Sequence, residues 1–288
     1  MRLPARLLRK AFAILAVFSF GPLVPLASGP APDWKTIAPG MELRYAAAKT
    51  PASAGDSRIV VLRIDPKLWD LQVVGINETG ESAGHSARAW SAKRNFSAAI
   101  NAGMFATDQK THVGYMRSGA QVNNGRRNAY QSVAAFDPHD SNLLPRFRIF
   151  DLDLSETNFQ SILKDYGSVV QNLRLVKRPG LNQWPQQERK WSEAALGEDD
   201  AGRILFIFSR SPFTMHDLNL ELLAAGIGLV AAQHLEGGPE AQLYIHVGTT
   251  EMEMLGSYES SFMENDKNSS AWPVPNVLGV RPRPSAPH

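Results

Sequence analysis

Apolar and polar positions alternate along Arg146-Phe-Arg-Ile-Phe-Asp-Leu-Asp153, the period-two pattern of a half-buried strand. Arg58 to Asp65 reads as another strand, and Leu68 to Ile76 is expected as its hairpin partner across the turn Asp65-Pro66-Lys67. Shorter runs over Phe96–Ile100, Gln131–Phe136, Val169–Leu173, Leu229–Leu235 and Leu243–Val247 extend the list of strands. Val113–Met116 and Ala120–Val122 flank Arg117-Ser118-Gly119, a hairpin signal. In Arg203-Ile-Leu-Phe-Ile-Phe-Ser209 the apolar residues are consecutive, which predicts a central strand buried on both faces.

Helical signals are fewer. Ser86–Arg94 predicts a short helix, and Ser155–Tyr166 a second one closed by Gly167. The strongest opens at Thr214-Met215-His216-Asp217, where Thr214 is a good N-cap and Asp217 favours the positive helix end. Leu218, Leu222 and Ala225 share one face of it, and Gly226 is placed to end it. Ile204 to Gly238 thus reads as one βαβ-like unit, while Lys177–Lys190 reads as a loop. The pattern predicts an α+β or mixed α/β fold: a single domain with a largely mixed or antiparallel sheet and packed helices.

The N-terminus changes the domain picture. Arg2, Arg6, Arg9 and Lys10 precede the apolar run Ala11–Phe20, then Gly21-Pro22 and Pro25 break it and Ala27-Ser28-Gly29 offers a cleavage neighbourhood. The run is too short and too broken for a transmembrane helix, so export is expected, with the mature chain starting between Ala27 and Asp33. The expected organisation is a signal peptide over 1–29, a linker over 30–57, the domain over 58–280 and a disordered tail over 281–288. A periplasmic or secreted location follows, with no stable membrane span after cleavage.

Composition narrows the function. Apolar residues make up 43% and charged residues 20%, ordinary for a folded domain. The formal net charge of +2 is not gathered into a basic stripe, which argues against nucleic-acid binding. Cysteine is absent, which removes disulfides and thiol catalysis. Ser residues sit in no nucleophile elbow, and no glycine loop of the phosphate-binding type is present. His112, His234 and His246 lack the spacing of a zinc site, and Glu236 with Asp217 lacks the spacing of another metal site, so no metal and no cofactor is expected.

Three strand-end clusters carry the candidate chemistry: Asn101 with the loop to His112, Ser209-Arg210-Ser211 with His216-Asp217, and Glu236 with Glu240. The last brackets Gly237-Gly238, a pair that marks either a tight turn or a place of close backbone approach.

Ile100-Asn101-Ala102-Gly103-Met104-Phe105, followed by Val113-Gly114 and Gly119, resembles the opening motif of phosphodiester glycosidase domains, the family of the lysosomal uncovering enzyme. Leu235-Glu236-Gly237-Gly238 with Leu243-Tyr244 is similar to that family's closing Leu-Asp-Gly-Gly motif and the strand after it. Gln171-Asn172 is similar to a Gln-containing strand end of the family. The resemblance spans about Ile59 to Val247. It implies hydrolysis of a sugar-1-phosphodiester, with catalytic roles for Glu236, Asn101 and His216. Arg210, Gly103, Gly237, Gly238, Glu240 and Asp217 would then bind substrate. Glu236 would stabilise positive charge or activate water, Asn101 would hold sugar hydroxyls, and Arg210 would hold phosphate. Here Glu236 replaces the family aspartate, Pro239-Glu240 replaces its usual Gly-Ser, and Glu193 stands where an arginine is common. Those departures keep a second class open: a non-catalytic carbohydrate-binding or envelope polysaccharide assembly protein using the same cleft. In either class the partner is a carbohydrate or phosphoglycan.

Overall fold

The computed structural model describes residues 33–284. Signal-peptide cleavage and the end of the tail, 285–288, lie outside these residues.

Two sheets pack face to face. The larger has twelve strands, with Lys35–Ala38, Met41–Ala47, Arg58–Ile64, Ile204–Phe213, Trp191–Asp199, Leu229–Gly237 and Tyr166–Lys177 following one another across it. The smaller has five, in the order Thr250–Leu255, Gln242–Val247, Ala98–Asn101, Asn276–Pro282 and Trp69–Gly75. Inward-facing residues of both sheets form the main core, including Leu62, Phe206, Ala194 and Leu235 from the large sheet and Ile100, Leu243 and Leu278 from the small one.

Helices cover the outer faces. Met215–Ala224 sets Met215, Leu218 and Leu222 against Val61, Leu205 and Ile207 of the large sheet. Ala87–Arg94 buries Trp90 against Val74, Phe96 and Val277 of the small sheet. Both start on side-chain caps, Thr214 Oγ1 accepting from Asp217 N at 3.0 Å and Ser86 Oγ from Ala89 N at 3.1 Å. Gly226, at φ +66°, takes the left-handed turn that ends the longer helix.

The expected mixed fold is corrected toward strand: every pairing described in both sheets is antiparallel, and helices are few. The βαβ-like unit is present with an insertion. Ile204–Phe213 and Leu229–Gly237 run parallel to each other, but Trp191–Asp199 lies between them and is antiparallel to both. That strand, Trp-Ser-Glu-Ala-Ala-Leu-Gly-Glu-Asp, gave no sequence signal because small and acidic residues replace the β-branched ones. Arg58–Ile64 and Trp69–Gly75 both form but are not partners: the first pairs with Met41–Ala47 and Ile204–Phe213, the second with Asn276–Pro282. Residues 35–47, expected as linker, are therefore two sheet strands, and Arg281 and Pro282, expected in the tail, complete the last strand. The helix expected over Ser155–Tyr166 is confined to Phe159–Asp165, and Tyr166 instead begins a twelve-residue strand.

Candidate functional site

Glu236 occupies the end of the Leu229–Gly237 strand. The register pairs Ala194 with Glu236 but Ala195 with His234, so Leu235 is an extra residue, a β-bulge. Beyond it Gly237-Gly238 leads into a short 3₁₀ turn over Gly238–Glu240. Gly238 has φ +63°, and a β-carbon there would lie 2.6 Å from Glu259 Oε2; one on Gly237 would lie 2.8 Å from Trp191 Cδ1. These glycines are where two neighbours press against the turn.

Four glutamates gather at this bulge around one histidine. His234 Nδ1 and Glu193 Oε1 are 2.6 Å apart, and Trp191 Nε1 donates to Glu193 Oε2 at 2.7 Å. Glu259 arrives on the segment after Leu255, which is tied down by Ser192 Oγ accepting from Ser257 N and Tyr258 N. With Nδ1–H held by Glu193, His234 presents Nε2 with no protein partner among the described residues.

Charge follows from burial. Glu236 is 8% exposed, and its one hydrogen bond among the described residues comes from Gly237 N at 3.1 Å. Burial, opposed by His234 and reinforced by Glu240 and Glu193, pushes its carboxyl up to about 8, so it is protonated at neutral pH. Burial also raises Glu240, with Glu259 adding to the effect. For His234 burial works against the cation, but Glu193 above all reverses the balance and raises the imidazole.

Asn101 reaches the same turn. Its Nδ2 donates to Glu240 O at 2.9 Å and its Oδ1 accepts from Gln242 N at 2.7 Å. The two glycine motifs are therefore joined through the Asn101 amide, which bonds backbone at both its nitrogen and its oxygen. Gly103, at φ +152°, packs where a β-carbon would lie 2.2 Å from Asn172 Oδ1 and 2.3 Å from His112 Cε1. Asn172 Nδ2 donates to Ala102 O, and His112 Nε2 donates to Gln171 O at 2.9 Å. Burial lowers His112 to about 4, so the ring is neutral. This network fixes the Asn101–Gly103 backbone from below.

Arg210 is held on the segment that follows Leu255, and His216 and Asp217 lie at the start of the Met215–Ala224 helix. Arg210 gives its guanidinium to Asp266, to Leu255 O at 2.7 Å and to Asn268 O at 2.9 Å, with no bond to Glu236 or Glu240. His216 Nδ1 donates to Trp184 O at 2.6 Å, and Asp217 Oδ1 accepts from Gln186 Nε2 at 3.0 Å. Both belong to the docking of the 182–186 loop on the helix start. Among the described residues no group of His, Asp and Glu has the arrangement of a metal site. Glu193, His234 and Glu259 were the residues that sequence reasoning did not assign. The alternation of His234 with Glu236 was the one available signal, and the bulge at Leu235 complicates it.

The family model for phosphodiester glycosidases matches residues 94–281. This chain belongs to the phosphodiester glycosidase family. No curated protein matches the sequence. Among solved structures, the chain is similar to the catalytic domain of zebrafish N-acetylglucosamine-1-phosphodiester alpha-N-acetylglucosaminidase, auto-inhibited by its pro-peptide. The TM-score is 0.61 at 12% identity, over 88% of this chain and 87% of that one. It is also similar to a hypothetical protein from Synechocystis, with TM-score 0.59 at 13% identity, over 89% of this chain and 65% of that one. At these identities the likeness is one of fold.

Proposed function

We propose that the protein is a hydrolase that cleaves a sugar-1-phosphodiester, with the glutamate cluster at Gly237-Gly238 as its active site. The observation that carries the reading is Glu236: a buried, protonated carboxyl beside a histidine that Glu193 orients, at the end of a family motif. Water adds to the anomeric carbon as the bond from that carbon to the phosphate oxygen breaks. Glu236 gives its proton to the departing oxygen, and Glu240 takes one from the water. His234 Nε2–H faces the charge that develops on the phosphate. Glu236 acts here as an acid, where the family resemblance implied a carboxylate that stabilises positive charge or activates water.

The test is a panel of sugar-1-phosphodiesters, with and without chelator, run in 18O-labelled water. Release of free sugar carrying the label, unaffected by chelator, supports the reading; label in the phosphate overturns the bond assignment.

A second reading is favoured by one observation: the Arg210 guanidinium is bonded to Asp266 and to the Leu255 and Asn268 carbonyls. A carbohydrate-binding or envelope-glycan assembly protein needs no cation for a phosphate. The same panel separates the two, since saturable binding with no product formed points to the second. The cellular address of either protein is the periplasm or the exterior, and its substrate an envelope or extracellular glycan. N-terminal sequencing of the mature protein checks this: a start between Ala27 and Asp33 supports export, and an intact Met1 in the membrane fraction overturns it.

A further inference from the structure

Away from Glu236, a cavity of about 540 Å³ opens between the edge strand Phe147–Asp151 and the helix Phe159–Asp165. That volume is in the ordinary range for small-molecule sites. It forms where the large sheet lacks a neighbour for the edge strand: Ile149 N donates to Glu198 Oε2 at 2.7 Å instead of to another strand. Arg148 and Arg178 both reach Glu198 from the cavity wall.

Much of the polar capacity on this wall is unspent. Tyr166 is 2% exposed, and its hydroxyl has no partner among the described residues. Leaving such a group unpaired costs about 1–3 kcal/mol. Among the described residues Arg148 uses only Nη1, in one bond of 3.3 Å. Asp165, Ser161 and the Asn158 amide nitrogen line the same space without side-chain partners among the described residues, while Ile149, Phe150 and Ile162 give it an apolar floor. Asp151 is occupied, accepting from Arg174 and from Arg178 N.

The walls carry both signs of charge. A free carboxylate or phosphate entering here meets the acids Asp151, Glu156 and Asp165 on the wall; an ammonium group meets Arg148 and Arg178. A neutral ligand with hydroxyls round its edge and an apolar face can use donors and acceptors together. We infer that this cavity is a second carbohydrate site, separate from the glutamate cluster, which takes one neutral sugar residue and grips a hydroxyl of it with Tyr166 and Arg148. It holds a glycan by a unit other than the one at Glu236, and it stands whether or not the chain proves to be a hydrolase.

The experiment is saturation-transfer NMR and titration of the intact protein with the methyl glycosides of glucose, galactose, mannose and N-acetylglucosamine, beside glucuronate and glucosamine. At least one neutral glycoside should bind saturably, and more tightly than either charged sugar. Tyr166→Phe and Arg148→Gln should each weaken that binding about threefold to tenfold, the worth of one hydrogen bond. Tyr166→Phe should melt at or above the wild type, because it removes an unpaired buried group. The inference is overturned if no neutral glycoside binds, if a charged sugar binds best, or if binding ignores both substitutions. Loss of binding in Glu236→Gln with full retention in Tyr166→Phe also overturns it, since the sugar would then sit at the glutamate cluster.

Discussion

Glu236 keeps its proton up to about pH 8 because burial, with Glu240 and Glu193 close by, disfavours its anion more than His234 favours it. The ordinary value is 4.5, so between 4.5 and about 8 the folded protein holds a proton that the unfolded chain releases. Stability therefore falls as pH rises through that window. Glu236→Gln removes the titration: its melting temperature should gain on the wild type as pH rises toward about 8, by on the order of a few kcal/mol in stability. Parallel melting curves across the window would mean that the carboxyl is not held neutral. On a confirmed substrate the same variant should lose on the order of a hundredfold in turnover, the usual scale for one acid group. Gly103 makes a second prediction at this scale. Gly103→Ala places a methyl against Asn172 and His112 at a backbone angle that side chains rarely adopt, and should cost about 2–4 kcal/mol. Urea unfolding measures it; a loss below a few tenths would show that the buried network can yield.

Elements were legible where one physical signal dominated. The apolar block at Ile204–Phe208 could only be a central strand, and Thr214 with Asp217 marked the start of the main helix to the residue. Thr214→Ala should cost about 1 kcal/mol in chemical denaturation, with Thr214→Ser recovering most of it, as a lost and restored cap does; equal losses would mean the methyl group matters more than the hydroxyl. Trp191–Asp199 was illegible because its stability comes from two antiparallel neighbours and from partners for its acids, none of which is local. The glycine motifs exposed Glu236, Glu240 and Asn101 as neighbours, since spacing and turn chemistry are written in sequence. His234, Glu193 and Glu259 were hidden because three separate segments bring them together. The partners of Arg210, Asp266 and the Leu255 and Asn268 carbonyls, were not legible because they lie far along the chain.

The whole molecule depends on pairings between distant parts of the sequence. Asn276–Pro282 lies between Ala98–Asn101 and Trp69–Gly75, and it is the one strand that joins Trp69–Gly75 to the rest of the small sheet. Deleting residues from 276 onward should leave no cooperative unfolding transition by circular dichroism. A truncated chain that still melted sharply would show that the large sheet folds alone. The loss should be far greater than removal of a surface tail, since Val277, Leu278 and Val280 are fully buried.

The position of that strand also sets a clock. A polypeptide emerging from the ribosome shows its amino end first, yet Trp69–Gly75 has no partner until the stretch that ends at Pro282 is free. Throughout synthesis the small sheet stays open at that edge, while the local pairings of residues 35–64 need nothing downstream. Closing a loop of that length is slow. The small sheet is thus sealed only when the end of the chain arrives, like a purse whose drawstring is its last few stitches.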